Sequence, residues 1–173
     1  MNFLLQFPTP LHEQAAEKAY EFFQSRPGVD TILVVNSCAR GQGTPESDLD
    51  MAVLVQSHIS DGEAASLETL WRQELAGNEV LQRFRASGQH AHVHLDVVRG
   101  RYVPETWDDG GGPDGFELGI GNQLAYATPL HGAGPYYRQL QAQWLPYYSE
   151  DLRCQRLEMA CAACRYDLDH VPF

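Results

Sequence analysis

The sequence has little positive charge, and lysine is almost absent from it. One lysine, Lys18, stands beside eleven arginines, and 23 acidic residues against 12 basic ones give a formal net charge of −11. A surface that follows nucleic-acid phosphates needs clustered lysine and arginine. The composition therefore disfavours DNA or RNA as a partner and favours cationic or metal-bound partners.

Long hydrophobic runs and a cysteine framework are also lacking. No stretch approaches the roughly 18 consecutive apolar residues of a membrane span, and the first residues lack the basic and apolar pattern of a secretion signal. Four cysteines in 173 residues do not make a disulfide scaffold. We therefore expect no membrane association and a reducing, cytoplasmic setting.

The apolar residues, 43% of the chain, follow an alternation of helical and strand periodicity. This pattern predicts an α/β fold, with a small mixed β-sheet, helices on one side of it and a short C-terminal helical segment. We place one globular domain in residues 1–134 and the helical segment in 135–173, which we expect to be incomplete or completed by a partner chain. The predicted helices cover 10–25, 62–86 with a break at Gly77-Asn78, and 136–166 with a break at Pro146; the predicted strands cover 31–36, 49–56 and 91–98.

A small-residue turn between the first two predicted strands is the most informative feature. It runs from Asn36 to Gly41, and Ser47-Asp48-Leu49-Asp50 follows shortly after it. Side chains alternate along a strand, so Asp48 and Asp50 point to the same side. Two carboxylates beside such a turn suit a divalent metal and a polyphosphate. The simpler interpretation is a hairpin whose polar ends are solvated.

The third predicted strand carries His92, His94 and Asp96 on one face. Imidazole clusters favour Zn²⁺ or another transition metal. Consecutive same-face residues are too far apart along a strand for all of them to share one ion. A polar strand face beside a cleft is the favoured interpretation.

Two further features have plain explanations. Cys161 and Cys164 form a C-x-x-C pair late in a helical stretch without a second ligand pair, and we predict buried thiols on a helix face. The stretch 100–116, rich in glycine and acid, is predicted to be a mobile loop. Acidic residues in 105–117 either attract a cationic acceptor or are simply solvated.

These residues resemble the nucleotidyltransferase superfamily that includes DNA polymerase beta, and most of all its minimal and aminoglycoside-type members. The resemblance covers about residues 30–98. Asn36 stands where the family usually has glycine, the residue that allows a positive φ or a close approach to phosphate. The residues that carry the resemblance are Ser37, Ala39-Arg40-Gly41, Ser47-Asp48-Leu49-Asp50 and Asp96.

The resemblance implies that residues 1–134 form a nucleotidyltransferase catalytic domain. Such a domain moves a nucleoside monophosphate from a nucleoside triphosphate to a hydroxyl of a small molecule, such as an aminoglycoside or a lincosamide, by a two-metal in-line displacement. The alternatives are a regulatory nucleotidyltransferase that acts on a partner protein, as an antitoxin does, and a degenerate nucleotide-binding module. A homodimer or a complex with a partner protein is compatible with each of them.

The resemblance also assigns roles to individual residues. Asp48, Asp50 and Asp96 would bind Mg²⁺, with Mn²⁺ as the alternative, and would carry the catalysis. The residues that would bind the nucleotide are Asn36, Ser37, Arg40 and Ser47.

Overall fold

The computed structural model describes residues 5–102, 116–119, 123–147 and 149–170. Its strands are β1 (Val29–Val34), β2 (Leu49–Val55), β3 (Val93–Val98) and β4 (Thr128–Pro129). They form one sheet in the order β3-β2-β1-β4, in which β1 is antiparallel to β2 and β4, and β2 is parallel to β3. The predicted α/β fold with a small mixed sheet is confirmed.

One face of the sheet is covered by helices from the first half of the chain. The helices of this half are α1 (Pro10–Phe23), α2 (Asn36–Ala39), α3 (Asp61–Gly77) and α4 (Glu79–Ala86). Phe23, Trp71 and Phe84 bring α1, α3 and α4 into one apolar core with the sheet. The predicted break between α3 and α4 is present, because the Asn78 side chain accepts hydrogen bonds from the first N–H groups of α4.

The other face is covered by the segment that follows residue 134. This segment forms α5 (Pro135–Trp144), a 3₁₀ turn (Leu145–Tyr147) at the predicted break, and α6 (Glu150–His170). Tyr137, Leu140 and Trp144 of α5 pack against Leu33 and Leu54 of the sheet. The sheet is thus covered on both faces, with α5 on the face opposite to α1, α3 and α4.

Helix α6 differs from the rest because none of its described side chains is buried. The prediction that Cys161 and Cys164 are buried thiols is wrong, since both are exposed, as is Cys154. The apolar residues of α6 are spread around the helix instead of forming one stripe, so no single face is driven onto the sheet. Among the described residues, no helix has the length and apolar character needed to cross a membrane. Most of the predicted loop at 100–116 lies outside the described residues.

A carboxylate on β1 fixes α5 to the sheet. The two oxygens of Asp30 accept hydrogen bonds from the N–H groups of Tyr136 and Tyr137, each at 3.0 Å. The Thr31 hydroxyl accepts another from the N–H of Gly134 at 2.8 Å. A Cβ at position 134 would lie 2.4 Å from the Asp30 carbonyl oxygen, so glycine is required there. Asp30 therefore caps α5 and complements its dipole.

We expect Asp30→Ala to lower the free energy of unfolding by about 1–2 kcal/mol, because α5 loses both capping bonds. Asp30→Asn should have a smaller effect, since one side-chain oxygen can still accept a hydrogen bond. Urea unfolding measures both, with Asp151→Ala on the exposed surface of α6 as the control. Unchanged stability of Asp30→Ala would contradict the capping role.

Candidate active site

The turn after β1 begins with a residue in the left-handed region of backbone conformation. Asn36 has φ of +54°, which glycine adopts freely and asparagine tolerates better than most other residues. Its Nδ2 donates a hydrogen bond to Oδ2 of Asp50 at 3.1 Å. The N–H of Val35 donates to the carbonyl of Asp50 at 2.9 Å. Main chain and side chain thus tie the turn to the start of β2.

We expect Asn36→Gly to keep the turn but to lose the bond to Asp50. The free energy of unfolding should fall by about 0.5–1 kcal/mol, and nucleoside triphosphate binding should stay equal or become tighter. Asn36→Val should be more harmful on both counts, because a β-branched residue resists a positive φ.

Urea unfolding and calorimetric titration with the magnesium salts of the nucleoside triphosphates measure these two effects. Weaker triphosphate binding by Asn36→Gly would mean that the asparagine side chain itself contacts the ligand.

The Asp48 and Asp50 side chains lie on the face of the sheet that α5 covers. Leu49 and Met51 point into the opposite core, so the aspartates alternate away from it. The side chain of Asp48 is 35% exposed and that of Asp50 is 20% exposed. The predicted same-side placement of this pair is therefore observed.

Each of these carboxylates has an imidazole neighbour on β3. Asp50 and His94 are opposite each other in the parallel register of β2 and β3. His94 Nδ1 lies 3.9 Å from Asp50 Oδ1, and His92 Nε2 lies 3.9 Å from Asp48 Oδ2. The two rings meet edge to face at 4.7 Å. The predicted polar strand face thus borders the aspartates directly.

Asp96 is exposed and lies opposite Ala52, two residues beyond the Asp50–His94 pair. Alternation along β3 places it on the same face as His94 and therefore on the face of Asp50. The same-face arrangement that the three-carboxylate site requires is present, whereas the sharing of metal ions by these residues stays a prediction. Among the residues that the structure describes, no three His, Cys, Asp or Glu side chains are grouped to hold a metal ion.

Burial shapes the acidity of the groups at the turn. It raises the pKa of the Asp50 carboxyl above the ordinary value, and the charge of Asp48 raises it further. The Asn36 hydrogen bond and the two histidines act in the opposite direction. Burial also raises the pKa of the Cys38 thiol, with added contributions from the two aspartates, which makes this thiol a packing group and not a nucleophile.

We expect Asp50→Asn to raise the stability of the fold at neutral pH. A carboxyl whose folded pKa is raised holds its proton more tightly in the folded state, so its contribution to stability falls as pH rises from the unfolded pKa through the folded one. An amide at position 50 has no such penalty and can still accept the Asn36 hydrogen bond. Urea unfolding at neutral and at acid pH should show the gain at neutral pH and its decrease as the pH falls through the raised folded pKa towards the ordinary aspartate pKa. A loss of stability at neutral pH would contradict this expectation.

The other predicted nucleotide ligands lie along the connection between β1 and β2. Ser37 is half-buried in α2, and its carbonyl accepts from the N–H of Gln42 at 2.9 Å. Arg40 is exposed at the C-terminal end of α2. The Ser47 hydroxyl accepts from the N–H of Thr44 at 2.9 Å, so this side chain closes a turn in the connection.

A buried histidine supports this connection from α1, and no sequence pattern pointed to it. His12 Nε2 lies 3.0 Å from the carbonyl of Ser47, and its Nδ1 lies 2.8 Å from the Thr9 hydroxyl. A carbonyl can only accept, so Nε2 carries the donating hydrogen. His12, which is 1% exposed, thereby fixes the peptide that precedes Asp48.

Comparison with known proteins finds distant similarity to solved structures. No protein-family model and no curated protein matches the chain. A crystal structure of a toxin–antitoxin with AMP-PNP shares 15% identity at a TM-score of 0.43, over 88% of this chain and 97% of that chain. Two mutants of the toxin–antitoxin MntA-HpeT share 17% and 13% identity at TM-scores of 0.41 and 0.42, over 90% and 88% of this chain and 96% and 97% of theirs.

Similarities at this level carry no argument about activity, ligand or partner. The features that do bear on the family are those of the chain itself. They are the turn at Asn36, the same-side pair Asp48 and Asp50, and the mixed sheet on which both are placed. The observed fold is consistent with the nucleotidyltransferase fold that the sequence resemblance implies.

Proposed function

We propose that this chain is a metal-dependent nucleotidyltransferase, which moves a nucleoside monophosphate from a nucleoside triphosphate to a hydroxyl of an acceptor. The observation that carries the proposal is the contact between two motifs taken from separate stretches of sequence. The Asn36 amide donates to the Asp50 carboxylate, so the small-residue turn and the aspartate pair form one site. A turn for phosphate and carboxylates for a cation are the two parts that a metal-bound triphosphate needs.

The donor set of the site fits Mg²⁺. This ion takes one or two protein carboxylates and completes its shell with phosphate oxygens and water, and so does not need a complete protein cage. Asp48 and Asp50 are the residues that would hold it, and Mn²⁺ accepts the same oxygen donors. The bound ion would offset the negative charge of the phosphates and of the leaving pyrophosphate.

The reaction is an in-line displacement at the α-phosphorus. The acceptor oxygen forms a bond to this phosphorus while the bond to the bridging oxygen breaks, and pyrophosphate leaves with that electron pair. The proton of the hydroxyl passes to a carboxylate, and the exposed Asp96 on the same face is our candidate for this base. Ser37 within the short α2 and Arg40 at its C-terminal end are our candidates for holding the phosphates.

The acceptor is a small molecule with hydroxyl groups, of the aminoglycoside or lincosamide kind. Helix α6 favours a second candidate, the hydroxyl side chain of a partner protein. A helix whose described side chains are all outside the core gains little from packing, and in water a helix depends largely on such packing. A partner protein on α6 would supply it.

An assay with triphosphates labelled at the α-phosphorus tests the proposal. The protein is incubated with Mg²⁺ and a panel of aminoglycosides, lincosamides and candidate partner proteins, and label transfer and pyrophosphate release are followed. We expect transfer to fall by about a hundredfold or more in Asp48→Asn and in Asp50→Asn, because the charged ligands are lost. Glu13→Gln on the exposed surface of α1 should retain full activity.

Two results would overturn the proposal. If the protein binds the triphosphate but transfers label to no acceptor, it is a nucleotide-binding module and not a transferase. Transfer that persists in Asp50→Asn would move the chemistry away from this site.

A further inference from the structure

Strand β3 lies at one edge of the sheet, and no described residue pairs with its outer side. The carbonyl of His92 accepts from the N–H of Leu49, so the polar main-chain groups of His92 face β2. These groups alternate in direction along a strand, so those of Val93, Leu95 and Val97 point outward. An open row of N–H and C=O groups is a template for one more strand.

A groove follows this edge. It consists of two adjoining cavities of about 510 and 380 Å³, which share Arg72, Leu75, Val93 and His94 as lining residues. The consecutive residues from His92 to Asp96 line the two cavities, although successive side chains point to opposite faces of the sheet. The shared surface is therefore the edge of the strand, over a length of roughly 16 Å at about 3.3 Å per residue. We call this surface the β3 edge groove.

The wall opposite β3 is formed by α3 and α4 and is partly apolar. Leu75 and Leu81 line the larger cavity, and Trp71 lines the smaller one. Trp71 is 2% exposed and its ring packs against Phe22 and Phe23, so it borders the groove as part of the apolar core.

The larger cavity is basic, although the whole chain has a net charge of −11. Arg72, Arg85, His92 and His94 line it, and no carboxylate from the described part of the chain does. Arg85 has no ion pair with any described residue, and Arg72 has an exposed pair with Glu68 at 3.5 Å. Exposed pairs of this kind are weak and exchange readily with another carboxylate. The acidic groups Glu68 and Asp96 line the smaller cavity at the other end.

We propose that the β3 edge groove binds an extended acidic segment of a partner protein, which adds a strand beside β3. Main-chain hydrogen bonds to Val93, Leu95 and Val97 would give affinity, and alternate side chains would give specificity. The acidic side chains of the segment would pair with Arg72 and Arg85. Its apolar side chains would lie over the leucines of α3 and α4. This binding does not depend on the proposed transferase activity, and a failure of one leaves the other standing.

A blocked, fluorescent peptide of alternating glutamate and valine is the probe, and its lysine and valine counterpart is the charge control. We expect the glutamate peptide to bind, by fluorescence anisotropy, and the lysine peptide to bind far more weakly. Hydrogen exchange followed by NMR should show slower exchange at the amides of Val93, Leu95 and Val97 when the glutamate peptide is present. The amides of His94 and Asp96, which already face β2, should change little.

Charge reversal on the protein tests the same groove. The double variant Arg72→Glu and Arg85→Glu should weaken glutamate-peptide binding by about tenfold or more, because two attractive pairs become repulsive. Both arginines are exposed. Arg83 is also exposed, on α4, but it does not line the groove, so Arg83→Glu is the matched control and should bind the glutamate peptide normally. Equal binding of the two peptides, binding without slower exchange at the three outward amides, or no binding of the glutamate peptide would each overturn the proposal.

Discussion

The antiparallel pairing of β1 with β2 is the constraint on which the candidate site depends. Both faces of β1 are buried, with Ile32 and Val34 in one core and Leu33 and Val35 in the other. A slip of one residue would exchange the side chains of the two cores and disturb the packing of both, so the two cores hold the register firmly. The same register brings Val35 to the carbonyl of Asp50. The geometry of the polar site is therefore a consequence of apolar packing on both sides of the sheet.

The register that this packing fixes places the carboxylate of Asp50 at the edge of the apolar core. Asp50 is one residue away from Leu49 and Met51, which are buried, and burial raises the pKa of its carboxyl. The Asn36 amide partly compensates by stabilising the charged form, as does the nearby His94. A site that binds a cation gains from such a carboxylate, since the cation relieves the same unfavourable charge. Stability and the proposed function thus make opposite demands on Asp50.

The spacing of apolar residues predicted the helices and strands well, because these residues mark the buried face of each element. The break at Asn78 and the common side of Asp48 and Asp50 follow from local sequence alone. The roles of Asp30 and His12 could not be predicted in this way, since their partners lie 106 and 35 residues away. The alternation of side chains along β3 predicted that His94 lies on a polar face. It did not predict the register of β3 against β2, so only the structure shows that His94 lies opposite Asp50.

Strand β3 connects the candidate site with the edge groove through the same side chains. His92 and His94 border Asp48 and Asp50 on the inner side of β3 and line the larger cavity on its outer side. A segment bound along the outer edge would therefore be separated from the aspartates by β3, at about twice the usual spacing of about 4.8 Å between neighbouring strands. Acidic groups of that segment would bring further negative charge close to the two aspartates. Occupation of the groove would for this reason alter the electrostatics of the site, even though the ligands proposed for the two surfaces differ.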